Sequence, residues 1–449
     1  MRTNRREFIG RTAAALTLAG RAAAQQQDPW SEVTAILGRI KAPTFPDRDF
    51  AVEAFGAAGD GQKDCTEAIS HAIDDCNRMG GGRVVVANGV YSTAAIHLKS
   101  NVNLYVAKGA TLRFLRDPKR YLPLVYTRWE GTECMNYSPF LYADNQENIA
   151  ITGEGTLDGN CDSQNWWNWV RGAARQRLVD MGARDVPIEE RVFGEGSFLR
   201  PSFIQPCHSR NVLIEGVTIV NSPMWEVNPV LCTNVIVRGV KINSHGPNND
   251  GCDPDSCRDV LIEDCVFDTG DDCIAIKSGR NRDGRRVNAP TENVIIRNCE
   301  MKDGHGGVTI GSEMSGSVRN VFAENCMMSS PHLNEALRFK TNAMRGGTIE
   351  NVHFRNMEIG EVSDAVLQID FNYEEGSKGP ELPAVRNISL RNVTSKKSKY
   401  ALNLRGFANA PIRDVRLEDC QFENVAQEDV VENVEGLVKR QVRMTRKGA

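Results

Sequence analysis

The chain has 449 residues, of which 41% are hydrophobic, and a formal net charge of -4 at pH 7. This composition supports a large core, and the near-neutral charge argues against a nucleic-acid-binding protein, which usually has a basic excess. Any acidic ligand must therefore meet local cations. No stretch of the sequence approaches the roughly 18 apolar residues that a membrane-spanning helix requires.

The first 25 residues have the features of an export signal. A twin-arginine string, Arg5 to Ile9, precedes a short apolar run and the small residues Ala22 to Ala24. Segments of this kind direct export and are removed afterwards, so they are not part of the fold. We therefore predict a twin-arginine (Tat) signal peptide at residues 1–25 and a periplasmic or secreted protein.

Residues 49–118 are interpreted as an N-terminal capping module. Helical periodicity runs from Cys65 to Met79 and ends at three glycines, and short apolar strands follow at 84–86, 96–98, 102–106 and 111–114. Such a helix has one apolar face to bury. We expect it to cover the open end of a stack of β-coils.

From Asn148 onward, strings such as NVLIEGVTI, DVLIEDCVF and NVIIRNCEM recur about every 30 residues. Their alternating apolar residues predict strands with one buried face, and the repeat is too short to add a helix. Aligning the strings gives an anchor column of small apolar residues, namely Val217, Val240, Cys265, Cys299, Cys326, Met357, Val393 and Cys420. The exchange of Cys with Val and Met indicates buried hydrophobes rather than a disulfide framework.

The column before the anchor contains residues that tolerate a left-handed turn and can hydrogen-bond along a ladder. Its members are Gly216, Gly239, Asp264, Asn298, Asn325, Asn356, Asn392 and Asp419. We therefore predict an all-β fold, a right-handed single-stranded parallel β-helix spanning residues 119–430, with a short N-terminal helical cap and a C-terminal tail at 431–449. An insertion at 161–200, rich in Trp and Arg, suits either a wall of a sugar-acid pocket or an ordinary packed lid.

Four strings between Pro247 and Lys340 occupy matching phases of the repeat: PNNDGCD, TGDDC, DGHGG and RFK. Asp271 and His305 each follow their anchor cysteine by six residues, so they should lie side by side on adjacent coils. Asp250 and Asp272 add carboxylates on the same face, and carboxylates so close together raise the pKa of at least one. An acid beside a base is what inverting hydrolysis of a glycosidic bond requires, usually with carboxyl groups roughly 6.5–9.5 Å apart.

Arg338 and Lys340 point to an acidic sugar. Arg338 can hold a carboxylate with two parallel hydrogen bonds, and Lys340 adds a point charge on the same strand face because it lies two residues further along.

The four strings resemble the motifs of glycoside hydrolase family 28, the polygalacturonases, with Asn249 and Phe339 replacing the Thr and Ile of the family. The resemblance implies inverting hydrolysis of α-1,4-galacturonosyl bonds. By the same resemblance, the functional positions are Asp271 as general acid, Asp250 and Asp272 as holders of the water, His305 as support of the acid, and Asn248, Arg338, Lys340 and Tyr373 as substrate-binding residues.

Longer strings such as GHGGVTIGSEMSG resemble bacterial exo-acting members, so we expect an exo-acting monomer that acts on pectic polysaccharide or galacturonate oligosaccharide without a cofactor or metal. The alternatives are an endo-polygalacturonase and a hydrolase of rhamnogalacturonan or xylogalacturonan. Two further alternatives belong to other classes. One is a calcium-dependent pectate lyase that uses Asp250, Asp253, Asp271 and Asp272 as ligands, and the other is a non-catalytic polysaccharide-binding β-helix.

Overall fold

A computed structural model describes residues 28–169 and 172–446. The predicted signal peptide lies outside these residues. Within them the chain forms a right-handed parallel β-helix, as the repeat predicts. One parallel sheet of 25 strands makes up two faces of the solenoid. Its strands are Asp49–Ala51, Asp60–Asp64, Gly82–Val86, Gly89–Thr93, Val102–Val106, Ala110–Phe114, Glu147–Gly153, Thr156–Asp158, Arg210–Glu215, Thr218–Val220, Thr233–Arg238, Lys241–Ser244, Arg258–Glu263, Val266–Thr269, Thr291–Arg297, Glu300–Asp303, Val318–Glu324, Met327–Met328, Thr348–Glu361, Ala384–Lys397, Ile412–Glu418, Gln421–Val425, Val434–Glu435, Val438–Arg440 and Arg443–Arg446.

A further face of the solenoid carries the candidate site. Its strands are Ile96–His97, Leu141–Asp144, Ile204–Cys207, Ile274–Ile276, Gly306–Gly311, Glu335–Lys340, Ala365–Asp370, Tyr400–Arg405 and Val430–Glu432. Single parallel bridges at Val227 and Cys252 connect the first three strands to the rest. The ladder is therefore continuous from the N-terminal coils to the C-terminal ones.

The anchor column is buried as predicted, since each of its members is at most 2% exposed. The column before it adopts the left-handed conformation, with φ between 53° and 79°. Its side chains form the expected ladder; for example, Asn392 Nδ2 donates to Asn356 Oδ1 at 2.8 Å. A second ladder, which the sequence did not predict, runs through the first residue of each repeat, as where Asn387 Nδ2 donates to Asn351 Oδ1 at 2.8 Å.

Within the described residues, four α-helices accompany the strands: α1 (Ser31–Arg39), α2 (Thr66–Arg78), α3 (Ala173–Ala183) and α4 (Asn281–Val287). Short 3₁₀ helices lie at Val52–Phe55, Pro118–Tyr121, Trp166–Asn168 and Ile188–Glu190. Helix α2 is the predicted cap, and it buries Ile69 and Ile73 in the main core. Helix α1, which was not predicted, packs on the outside of the large sheet, where Trp30 meets Phe322 edge to face.

The parallel ladder crosses both boundaries that the sequence suggested. Gly82–Val86 pairs with Val102–Val106, which pairs in turn with Glu147–Gly153, so the capping module supplies the first coils of the solenoid. At the other end, Val438–Arg440 pairs with Ile412–Glu418.

A hairpin of Val125–Trp129 and Thr132–Asn136, joined by Val192–Phe193, covers part of the face that carries the candidate site. All thirteen cysteines are buried and free. In residues 28–169 and 172–446, no helix is long and apolar enough to cross a membrane.

Candidate active site

Three aspartates of adjacent coils meet on the face that carries the candidate site. Asp271 and Asp272 lie in the bend between Val266–Thr269 and Ile274–Ile276, and Asp250 lies at the matching place one coil earlier. One oxygen from each carboxylate lies within 4.8 Å of the other two. Gly270 permits this approach, since a Cβ there would lie 2.5 Å from the carbonyl oxygen of Gly246.

This separation is shorter than the 6.5–9.5 Å between carboxyl groups that is usual for inverting glycosidases. The reason lies in the fold, because neighbouring parallel strands are only about 4.8 Å apart. A single water that donates two hydrogen bonds of about 2.8 Å spans roughly 4.5 Å between its acceptors. The cluster can therefore hold one water between two carboxylates.

His305 lies one coil after Asp271, as the phase of the repeat predicts. Its Nδ1 lies 3.0 Å from Asp271 Oδ1, and Asn248 Nδ2 donates to Asp271 Oδ2 at 3.4 Å. The glycines beside His305 serve close packing and do not open space for a ligand. A Cβ at Gly304 would lie 2.5 Å from the backbone oxygen of Asp271, and one at Gly306 would lie 2.8 Å from Asp272 Oδ1. They allow one coil to pack directly against the Asp-Asp bend.

The carboxyl groups of the cluster differ in pKa. Burial, reinforced by the negative charge of Asp271, raises the pKa of Asp250 well above its ordinary value. For Asp271, burial alone would raise the pKa, but the hydrogen bond from His305 and the charge of Lys340 lower it overall. The same hydrogen bond raises the pKa of His305. These opposite shifts favour a proton on the imidazole over one on the Asp271 carboxylate.

The predicted cations neutralise Asp272. Lys340 Nζ donates to Asp272 Oδ2 at 2.6 Å, and Arg338 Nη1 lies 3.5 Å from Asp272 Oδ1. Tyr373 covers both cations, with Lys340 Nζ 5.4 Å and the guanidinium carbon of Arg338 6.0 Å from its ring centre. Asn248, Asp250, Asp271, His305, Arg338, Lys340 and Tyr373 line one cavity of about 250 Å³. Asp272 lies in the floor beneath, fully buried.

Sequence reasoning missed a buried lysine beside Asp250. Lys277 Nζ lies 3.8 Å from Asp250 Oδ2 and 3.2 Å from Glu313 Oε2, and it stacks 4.7 Å from the ring centre of Trp225. Burial alone would lower the pKa of Lys277, but Glu313 and the neighbouring aspartates raise it. The alternation of buried Ile274 and Ile276 was the available signal, because it places Lys277 on the cleft side of the strand.

Arg200, at the end of the insertion, was also missed. It is 2% exposed, its Nη2 donates to Asn248 Oδ1 at 2.7 Å, and its Nη1 donates to the carbonyl oxygens of Pro223 and Pro247. Arg200 thereby fixes the turn that carries Asn248 and Asp250. No repeat or motif in the sequence marked it.

A second cavity, of about 370 Å³, adjoins the first on the other side of Asp271 and His305. Trp167, Trp169 and Arg200 of the insertion line it. Trp167 is fixed in place, since its Nε1 donates to the carbonyl oxygen of Ser222 at 2.7 Å. The insertion thus contributes a pocket wall, although its third tryptophan, Trp166, is buried in the main core.

The three aspartates have the oxygen ligands that a hard cation prefers, and their spacing would admit one. Positive charge already lies against two of them, from Lys340 at Asp272 and from Lys277 at Asp250. A divalent cation would have to displace or adjoin these ammonium groups. The arrangement therefore disfavours the calcium-dependent alternative.

Three clustered carboxylates, a histidine hydrogen-bonded to one of them and two cations beside another, all in the cleft of a β-helix, are typical of a glycosidase. The sequence profile described as glycosyl hydrolases family 28 matches residues 190–442, and the chain belongs to this family.

Among curated relatives, a probable polygalacturonase of Vitis vinifera is 28% identical over 83% of this chain and 74% of its own. An exo-poly-alpha-D-galacturonosidase of Dickeya chrysanthemi is 26% identical over 83% of this chain and 70% of its own. Among solved structures, a hyperthermoactive exopolygalacturonase from Thermotoga maritima is similar with 44% identity and a TM-score of 0.90, over 93% of this chain and 96% of that one.

Proposed function

We propose that the protein hydrolyses the α-1,4-galacturonosyl bonds of polygalacturonate and removes sugars from chain ends. One observation carries the proposal: Asp250, Asp271, His305, Arg338 and Lys340 line a single cavity, with Asp272 in its floor. At about 250 Å³ this cavity is smaller than the roughly 300–1,000 Å³ of drug-sized sites, so it suits one sugar ring rather than a chain segment.

In this mechanism Asp250 and Asp272 hold a water between them and remove its proton as it attacks the anomeric carbon. Asp271 protonates the leaving oxygen. Because the free site keeps that proton on His305, the imidazole serves as the reservoir from which Asp271 is charged when the glycosidic oxygen arrives. Direct attack by a protein-held water is a single displacement and inverts the anomeric centre.

Arg338 and Lys340 supply the selectivity for an acidic sugar. Both already contact Asp272, so a uronate carboxylate would complete a cluster of alternating charges instead of meeting isolated cations. Arg338 also pairs with Glu335, whose Oε2 lies 3.3 Å from its Nε, so the guanidinium selects a carboxylate by its hydrogen-bond geometry and not by an unbalanced charge.

Exo action is supported by the relatives that are described as exo-acting and by the wall that Glu130, Arg175 and Glu374 contribute to the cavity. The test is to incubate the purified protein with polygalacturonate and with end-labelled galacturonate oligomers, in the presence of a chelator. We expect saturated monogalacturonate from the first time points, with its initial anomer inverted by NMR. Mixed oligomers from the outset would reject the exo mode, and unsaturated products would reject hydrolysis.

We further propose that the protein is exported by the Tat pathway to the periplasm or beyond. The twin-arginine string at Arg5-Arg6 supports this proposal, and so does the substrate, a polymer found outside cells. Replacing Arg5 and Arg6 with lysines should leave the full-length protein in the cytoplasm. Export that continues unchanged in a strain lacking the Tat machinery would contradict the assignment.

A further inference from the structure

Three chain segments that are distant in sequence meet at one wall of the proposed catalytic cavity. They are the hairpin tip at Glu130, helix α3 of the insertion at Arg175, and the turn at Glu374 after strand Ala365–Asp370. Arg175 joins the other two, because its Nε donates to Glu130 Oε2 at 2.8 Å and its Nη2 to Glu374 Oε1 at 3.2 Å. All three side chains line the cavity.

Glu130 and Glu374 are also held from below. Arg280 contacts Glu130 at 3.2 Å and Arg345 contacts Glu374 at 2.6 Å, and both arginines are at most 3% exposed. Arg175 is 25% exposed. Arg280 also contacts Glu374, at 3.4 Å, so the two glutamates stay linked from below without Arg175, and what Arg175 adds is their link to helix α3 of the insertion.

The backbone at Glu374 indicates that this position is imposed by its contacts. Its φ is 48°, in the left-handed region, which is costly for a residue other than glycine. The contact with buried Arg345 holds the side chain in the wall despite this cost.

The wall opposes a continuous galacturonan chain sterically. Glu130 and Glu374 are paired with Arg175, Arg280 and Arg345, and the joined side chains occupy the path of a chain that would pass beyond the catalytic sugar on this side. The cavity lined by Trp167 and Trp169 has no such group of paired side chains among its lining residues. The remainder of a bound polymer can therefore leave the site over the tryptophans.

We propose that the ion pair between Arg175 and Glu374 is the specificity-determining contact that restricts this site to chain ends. The inference rests on the proposed function and assigns its exo mode to one contact. Breaking the bridge frees α3 from the turn at Glu374 and opens the cavity at that side. Internal bonds then gain access to Asp271.

The test compares Arg175→Ala with wild type on polygalacturonate by viscosity loss per reducing end released and by product length. We expect about a tenfold rise in viscosity loss per reducing end and early di- and trigalacturonate, the change expected when about 1.4 kcal/mol of discrimination is lost. Arg175→Lys should retain most of the wild-type pattern. The matched control is Arg184→Ala, at the exposed end of the same helix, where the side chain bonds only to the carbonyl oxygen of Asp180.

Thermal unfolding and circular dichroism separate a local opening from a loss of fold, and Glu374→Gln tests the same contact from the other side without removing volume. If both folded variants still release only monogalacturonate, the contact does not set the mode and the inference is overturned. If wild type itself releases mixed oligomers or nothing, the proposed function fails instead, and that result is visible before any variant is compared.

Discussion

Replacing Lys277 by methionine would test whether a buried cation sets the working pH of the catalytic base. Lys277 and Asp250 are 3% and 4% exposed, and their charged atoms are 3.8 Å apart. Asp250 must be ionised to take a proton from water, yet burial and Asp271 raise its pKa. Lys277 opposes these effects, so its removal should raise the pKa of Asp250 further.

The size of the effect follows from the distance. Two unit charges about 4 Å apart interact by about 4 kcal/mol at an effective dielectric constant of 20. Glu313 lies nearer to the same ammonium group and shares its charge, so Asp250 should lose only part of this interaction. The assay is kcat/KM for trigalacturonate across pH, in which the acid limb should move toward higher pH.

A companion variant tests the same electrostatic effect on Asp250 in the opposite direction. Glu313→Gln removes a negative charge from the neighbourhood of Asp250. The acid limb of this variant's kcat/KM profile should therefore move toward lower pH. Lys302→Met is the control, because Lys302 is 51% exposed and pairs only loosely with Glu300 at 3.9 Å. If the folded Lys277 variant loses activity while its acid limb stays in place, Lys277 does not act through the pKa of Asp250.

Four further outcomes follow from the site. Asp271→Asn should lower kcat by about 10²–10⁴-fold with little change in substrate binding by calorimetry, because it removes the proton donor but keeps the shape. His305→Gln should lower kcat by about tenfold or less, since the imidazole is half exposed, and should abolish the alkaline limb of the pH profile: the imidazolium is present below its raised pKa and lost as the pH rises through it. Arg200→Leu should lower kcat by about 10²-fold at similar KM, since the turn carrying Asp250 loses its support, and unchanged kcat in the folded variant would contradict this role. Trp169→Ala should raise KM for polygalacturonate about threefold to tenfold more than KM for digalacturonate, and an equal rise for both would place the polymer elsewhere.

The fold could be predicted because one physical rule is repeated along the chain. Each coil must bury a small apolar residue and turn through the left-handed region, and the sequence therefore shows Val, Cys or Met after Gly, Asn or Asp at the same phase. Helix α1 was not predicted, because it occurs once and no repeat marks it. Its apolar residues cover an outward stripe of the sheet, where Leu213, Ile236, Leu261, Ile295 and Phe322 are also apolar.

Only those site residues whose position follows from the phase of the repeat could be predicted. Asp271 and His305 were brought together because both follow an anchor cysteine by the same number of residues, and the structure confirms that they are hydrogen-bonded. Arg200, Glu130 and Arg175 belong to segments outside the repeat. No regular spacing in the sequence indicates where these segments lie on the solenoid. Their contacts depend on tertiary packing, which residue patterns do not encode.

The stacking of coils also explains why this site needs so many buried cations. Strands about 4.8 Å apart place the carboxylates of successive coils so close together that they would repel one another strongly if all were charged. Lys340 and Lys277 each lie against one carboxylate of the cluster, and His305 hydrogen-bonds the third. The imidazole takes up the proton that Asp271 does not keep, and so compensates the charge of this third carboxylate. The free site can therefore hold its acid and its base in one small cluster. On this reasoning, replacing the cations should disturb proton transfer before it disturbs the fold, because the strand ladder and the buried anchor column lie elsewhere.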